Sequence, residues 1–168
     1  QLTASSFKLL ANIPYYITGE IIRKFLESNN HPETMALLVQ KEVAERIARD
    51  EKESILSISV KVYGEPKYLG TVKRGLFRPM PNVDSAVLLI ERISKKKFID
   101  LSQEEFFKIL KLGFAHKRKK LMGNLGEKFD KKRLENIFEK LKFEQNIRAE
   151  NLAVDDWKRL MLSLHLTD

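Results

Sequence analysis

The sequence predicts an α/β unit followed by a small all-α unit, and three observations lead there. Short apolar runs alternate with stretches of 3.6-residue periodicity through residue 92. The composition then changes at residues 93–101 (ISKKKFIDL). Beyond that point only helical periodicity recurs.

Residues 7–12 (FKLLAN) read as a buried strand, stopped by a loop carrying Asn12 and Pro14. Ile21, Ile22, Phe25 and Leu26 then repeat at helical spacing behind Thr18, which is placed to cap the helix, and His31-Pro32 closes it. TMALLVQ at 34–40 is a continuous apolar run, as a parallel strand covered on both faces requires. KEVAERIAR at 41–49 returns to helix with Val43, Ala44, Ile47 and Ala48 inward. Strand, helix, strand, helix implies right-handed crossovers. In residues 54–63 the alternation of Leu56, Ile58, Val60 and Val62 favours a strand. Two further strands, 66–73 and 84–92, flank the Pro-bearing loop 75–83 and suggest a late antiparallel hairpin. The domain boundary falls after residue 94. Ser102 with Glu105 forms a capping box opening a helix that carries Phe106, Ile109, Leu110 and Phe114. Helices are expected at 130–142, capped by Asp130 with Leu134, Ile137, Phe138 and Leu141 inward, and at 153–165, lined by Trp157, Leu160, Met161 and Leu164.

The chain has 168 residues and a formal net charge of +8, with 43% hydrophobic residues. That composition supports an ordinary core and excludes disorder as the main state. There is no cysteine, so disulfides and thiolate sites are excluded. His31, His116 and His165 are too scattered for a zinc cluster, and no metal is expected. No apolar run reaches the roughly 18 residues of a membrane span and no secretory signal opens the chain, which is therefore read as soluble and not secreted. The lack of cysteine fits a reducing, cytoplasmic compartment, and a monomer is expected.

The excess charge splits evenly, +4 in residues 1–100 and +4 in 101–168. Locally it is concentrated: Lys117, Arg118, Lys119 and Lys120 are consecutive behind His116 and join Lys108 and Lys111 along one helix region. Such a run is as often a solvated face as a binding site. In a chain of pI near 9.6 it also fits a phosphate-backbone footprint, which makes nucleic acid the leading partner class.

Asn12-Ile13-Pro14-Tyr15 stands at the carboxyl end of an expected parallel strand, where open α/β sheets place their ligand crevice. Pro14 pushes Ile13 to extended backbone, so the carbonyls of both point in fixed directions, and the Asn12 amide adds a donor and an acceptor. Such a site suits an amine. Tyr15 can lie flat on a planar ring, a stack worth about 1–3 kcal/mol for a base. The plainer reading is a tight strand-to-helix turn with a partly buried tyrosine. Trp157 reads as core, His116 as part of the basic face, and Glu42 and Asp84 as structural.

Five ordered blocks resemble the KsgA-type ribosomal RNA adenine N6,N6-dimethyltransferases: NIPY at 12–15, QKEVAERI at 40–47, FRPMPNVDSAV at 77–87, FAHKRKKLMGNL at 114–125 and RAENLAV at 148–154. The resemblance implies the carboxyl-terminal part of a Rossmann-like class I methyltransferase sheet over residues 1–94, and a helical RNA-binding domain over 95–168. It implies S-adenosylmethionine as cofactor and dimethylation of adenine N6 amines in the RNA of an immature small ribosomal subunit. By resemblance the catalytic residues are Asn12, Pro14, Tyr15 and Phe77: Asn12 and the carbonyl of Ile13 or Pro14 accept the amine's hydrogens, while Tyr15 and Phe77 sandwich the flipped base. Asn12 would also touch the cofactor, and Lys117, Arg118, Lys119 and Lys120 would hold the RNA backbone. The same likeness implies helix, not strand, over 54–63.

The sequence departs from the family at its start. The seven glycines never form G-x-G, and residue 1 is Gln. The amino-terminal cofactor-binding half is therefore expected to be missing, and the chain alone to be inactive. A non-catalytic RNA-binding or ribosome-assembly module is the other reading. The resistance methyltransferases that act on large-subunit RNA, and the mitochondrial transcription-factor relatives, share the NIPY-like motif. RAEN and the FRPMPNVDSAV loop favour the KsgA type.

Overall fold

The computed structural model describes residues 7–165, so the opening Gln1 lies outside the described residues. Two compact units form, one from residues up to Asp50 with Leu56–Lys96, the other from Glu51–Ile55 with the residues from Lys97 on. The split falls at Lys96, two residues past the expected boundary, and a short stretch following the second helix crosses into the helical unit.

The first unit is a four-stranded mixed sheet with three helices. Its elements are β1 (Lys8–Asn12), α1 (Thr18–Glu27), β2 (Thr34–Gln40), α2 (Lys41–Ala48), α3 (Ile55–Lys61), β3 (Glu65–Val72) and β4 (Ser85–Glu91). The strand order is β1-β2-β4-β3. β1 runs parallel to β2, whereas β4 is antiparallel to both β2 and β3, so the late hairpin forms as expected. Met35, Leu37 and Val39 face Ile90, Leu88 and Ala86 across the β2–β4 ladder, and all six are fully buried. One face of β2 is thus sealed. Ala36 and Leu38 on the other face keep partial exposure, so the apolar run is not covered on both sides as expected.

Two local expectations are corrected. Residues 55–61 are helix, as the family likeness implied and the alternation did not. Ser57, Ile58, Ser59 and Val60 are all buried, and four consecutive buried residues suit a helix enclosed all round rather than a strand with one wet face. The misleading alternation arose because two small serines count as polar while packing as interior residues. Thr18 is not the cap of α1. A 3-10 turn at Tyr15–Ile17 runs straight into the helix, and its N–H groups already bond back, Ile17 to Pro14 O at 3.2 Å and Thr18 to Tyr15 O. Thr18 therefore already lies inside the helix, and Ile17, whose side chain cannot accept a hydrogen bond, stands at the cap position. Thr18 Oγ1 is buried without a hydrogen-bond partner among the described residues.

The second unit contains α4 (Gln103–Gly113), α5 (Leu121–Leu125), α6 (Lys131–Leu141) and α7 (Val154–His165). Ser102 Oγ accepts the Glu105 N–H and Asp130 Oδ1 accepts the Arg133 N–H, so both residues cap their helices, while the Glu105 carboxylate faces His165 at 3.4 Å and does not close the expected capping box. The expected inner faces of α4, α6 and α7 are buried around Trp157, except Phe114, which ends α4 partly exposed. α5, too short for periodicity to reveal, was not foreseen. Gly113 lies so close to Trp157 that a Cβ there would sit 2.3 Å from Cη2. No helix among the described residues is long and apolar enough to cross a membrane.

Candidate functional site

β1 ends at Asn12, and its last ladder bond is Ile13 N–H to Leu38 O at 3.3 Å. The Ile13 side chain is buried and pins the turn, while Asn12 and Pro14 stay exposed on either side of it. The chain then tightens into the 3-10 turn that carries Tyr15 half-buried. Across from it, the loop 73–84 brings Phe77, Pro79 and Pro81. Together with Asn12, Ile13, Pro14 and Tyr15 these residues line a cleft of about 270 Å³. The sequence candidates Asn12, Pro14, Tyr15 and Phe77, 65 positions apart at their extremes, are thus brought to one place.

Two side chains the sequence did not single out for the site hold its walls. Ser85, buried at the start of β4, exchanges a 2.7 Å hydrogen bond with the Tyr15 hydroxyl and fixes the ring's direction. Asp84, read only as structural, fastens the opposite loop: Oδ1 accepts the Arg74 N–H at 3.0 Å, Oδ2 accepts from Lys73 Nζ at 3.1 Å, and its own carbonyl accepts the first N–H of α2, from Lys41, at 3.0 Å. These bonds, the backbone N–H of Arg74 foremost, hold the Asp84 carboxyl below its ordinary range. Asp84-Ser85 directly precedes the apolar run of β4, and a polar pair at a strand's entry is the signal that could have marked both.

The same two loops expose apolar surface. Tyr16 is 88% exposed and Leu76 77%, with Met80 and Val83 also open. Most large exposed apolar side chains among the described residues stand on these loops, and clustering of that kind marks an interaction surface rather than scattered surface hydrophobes.

In chemical terms the cleft offers a flat aromatic ring, a facing phenylalanine, a carboxamide and fixed main-chain carbonyls. Its volume lies just under the roughly 300 Å³ where small-molecule sites begin, which suits one planar ring and not a whole dinucleotide-sized ligand. These oxygens are acceptors and fit the exocyclic amine of a base, which donates. Asn12, exposed at the carboxyl end of a parallel strand, also fits as a contact to a methyl donor in the crevice there.

Lys117, Arg118, Lys119 and Lys120 belong to the other unit and do not lie on a helix as expected. They occupy the turn between α4 and α5, each exposed. Asn124, buried in α5, donates from Nδ2 to Gly113 O at 2.5 Å and to His116 O at 3.2 Å, and so ties this turn to the end of α4. His116 stands on the basic face as read, within 3.4 Å of the Glu127 carboxylate.

Comparison with known proteins shows which family the chain belongs to. A model of the family described as ribosomal RNA adenine dimethylase matches residues 2–166. The ribosomal RNA small subunit methyltransferase A of Fusobacterium nucleatum is 40% identical over 158 residues, 92% of this chain and 60% of that protein. Its namesake in Mycoplasmopsis pulmonis is 38% identical over 165 residues, covering 96% of this chain and 64% of that one. Among solved structures, a dimethyladenosine transferase from Plasmodium falciparum superposes with a TM-score of 0.82 at 25% identity, over 99% of this chain and 70% of that chain. The 23S rRNA methyltransferase ErmE gives 0.75 at 25% identity, over 96% and 66%. The chain therefore spans less than two thirds of the length of these two curated relatives. It belongs to the ribosomal RNA adenine dimethylase family.

Proposed function

We propose that this chain is the substrate-facing part of an S-adenosylmethionine-dependent enzyme that dimethylates adenine N6 amines in small-subunit ribosomal RNA, acting in the cytoplasm on the immature subunit. The observation that carries this reading is the convergence of Asn12, Pro14, Tyr15 and Phe77 on one ring-sized cleft, in a chain of this family. The curated relatives are named for the small subunit, which favours that substrate over large-subunit RNA.

An adenine stacked in a duplex hides its amine, so the base must be turned out. Tyr15, held by Ser85, presents a preset ring to one face of it and Phe77 closes the other, each stack worth about 1–3 kcal/mol. The amine's lone pair is conjugated into the ring and is a poor nucleophile until its two hydrogens are held out of plane. The Asn12 side-chain oxygen and the carbonyl of Ile13 or Pro14 accept those hydrogens. Pro14 O already takes the Ile17 N–H and has one lone pair left for this task. When bound, S-adenosylmethionine supplies a sulfonium methyl, the electrophile, with Asn12 as this chain's contact to it. No strongly basic side chain is demanded, because the amine sheds its proton after the new bond forms. Lys117, Arg118, Lys119 and Lys120 would hold the RNA backbone.

The test is transfer of labelled methyl groups to unmethylated small subunits by this chain extended to the length of its relatives. Tyr15→Ala and Phe77→Ala should each lower the rate at least tenfold while binding of the methyl donor persists. Undiminished methylation by both variants would refute the assigned roles.

A further inference from the structure

The rim of the cleft is built from paired neighbours, one turned in and one turned out. Tyr15 lines the cleft, and the next residue, Tyr16, stands in solvent. On the opposite loop Phe77 lines it beside the outward Leu76, and Pro79 and Pro81 line it on either side of the outward Met80. The Tyr16 side chain makes no hydrogen bond and no ring contact among the described residues, so folding gains almost nothing from an aromatic ring at this position.

The loop that carries Leu76 and Met80 is preset and positive. Arg74 Nη1 donates to Asn82 O at 3.2 Å, and Arg78 Nη1 donates to Phe77 O at 2.9 Å and Gly75 O at 3.2 Å, so the two guanidinium groups fasten the loop to itself. Residues 73–84 hold three cations, Lys73, Arg74 and Arg78, against one carboxylate, Asp84, which Lys73 already engages. Apolar side chains held in place lose little freedom on binding, and interleaved with cations they suit flat apolar rings joined by anionic links. A single nucleic-acid strand has that chemistry, whereas an apolar protein face would leave the arginines uncompensated.

Turning a base out of a strand breaks its stacks with both neighbours. Each neighbour is left with one bare face, and that face emerges beside the mouth of the cleft, because the strand on either side of the target must pass over the rim. We propose that Tyr16 stacks on one base flanking the target adenine while Leu76 and Met80 cover the base on its other side, so that the rim replaces the stacking lost when the target turns out. The proposal rests on the reading of the cleft as the adenine site. It makes Tyr16 a positioning residue that acts through bases, not phosphates.

The experiment titrates the full 168-residue chain into a single-stranded RNA holding one adenine among uracils, with the fluorescent base pyrrolocytosine placed directly upstream of the adenine in one strand and directly downstream in another. Stacking quenches this base, so at one of the two positions the emission at saturation should be higher with Tyr16→Ala than with the wild type. Tyr16→Ala should also weaken binding roughly 5- to 100-fold, the share of one base–aromatic stack. The slope of log affinity against log salt should not change, because no phosphate contact is removed. Tyr16→Trp and Tyr16→Phe, which keep a ring, should restore both affinity and quenching, and Leu76→Ser with Met80→Ser should weaken binding at an unchanged slope. Tyr16 is exposed, so its variants should melt with the wild type, which checks that each is folded. Wild-type affinity and emission for Tyr16→Ala at both positions, or a flattened salt slope, would overturn the proposal. Weaker binding to whole small subunits with RNA binding unaltered would assign the rim to a protein and overturn it as well. In either case, methylation lost by Tyr15→Ala in the extended chain would leave the catalytic reading standing, whereas no RNA binding at all would refute both.

Discussion

Asn124 offers the sharpest test of how the basic turn is held. It is 1% exposed and its amide nitrogen donates to two carbonyls, Gly113 O and His116 O, while its Oδ1 is buried with no hydrogen-bond partner among the described residues. Asn124→Ala deletes two hydrogen bonds, each worth about 0.5–1.5 kcal/mol net, and leaves Gly113 O short, at about 1–3 kcal/mol where it remains dry, whereas His116 O keeps the Lys119 N–H at 3.0 Å. Against this it removes the unpaired Oδ1, which returns a desolvation cost of similar size to that one acceptor. The balance is a loss of about 2 kcal/mol, or roughly 8–16 °C in melting temperature for a unit of this size. Asn124→Asp keeps the shape but removes the donor and brings a buried carboxylate against two carbonyl oxygens. An uncompensated buried charge costs about 3–5 kcal/mol, so the order of stability should be wild type, then Ala, then Asp. Trp157 is the one tryptophan of the chain and is fully buried in the same unit, so urea unfolding followed by its emission reports this unit directly. An aspartate variant as stable as the alanine variant, or an alanine variant melting within 2 °C of wild type on the scale just given, would show that the amide is not what ties the turn to α4.

Ser85→Ala and Tyr15→Phe should each slow methylation in the extended chain, and the double variant should be little worse than either, with a coupling of about 1 kcal/mol in the cycle; independent, additive losses would mean the 2.7 Å bond does not orient the ring. The Asp84 carboxyl is held low, so the anchoring of the 73–84 loop is complete above the ordinary carboxylate value of about 3.9 and is lost as pH falls through the depressed folded value. Nuclear magnetic resonance of the Arg74 amide should accordingly titrate with a midpoint below that ordinary value, and a midpoint at or above it would show that this N–H does not stabilise the carboxylate. Gly113→Ala sets a methyl 2.3 Å from Trp157 Cη2 and 3.0 Å from Leu121 Cδ1. Overpacking of about 1–3 kcal/mol should at least offset the gain of about 1 kcal/mol from replacing a helical glycine, so a raised melting temperature would contradict the packing described.

Much of the architecture was legible because period and punctuation are local properties. The strands at 8–12, 34–40, 65–72 and 85–91, the caps Ser102 and Asp130, and the buried faces of α6 and α7 all follow from spacing along the chain. α3 was misread by the same rule, since serine counts as polar in a pattern yet is small enough to be enclosed. Thr18 was misread because the preceding 3-10 turn runs straight into α1, which takes Thr18 inside the helix and leaves Ile17 at the cap position. The placing of Lys117 to Lys120 on a helix failed at the end of α4, where Phe114 closes the helix.

For the sites the division is similar. The sequence alone determined the chemistry on offer: an Asn-Ile-Pro-Tyr turn after a strand, a Phe-bearing proline loop, a run of cations, and the family likeness that joins them. Only the tertiary structure decided that Tyr15 is steered by Ser85, that Asp84 carries the loop opposite, that Tyr16, Leu76 and Met80 stand exposed around one cleft, and that Lys52 pairs with Glu150. The physical reason is that composition and periodicity report which residues can bury or bond, whereas partners 70 or 98 positions away are chosen by sheet register and by the chain's crossing between units.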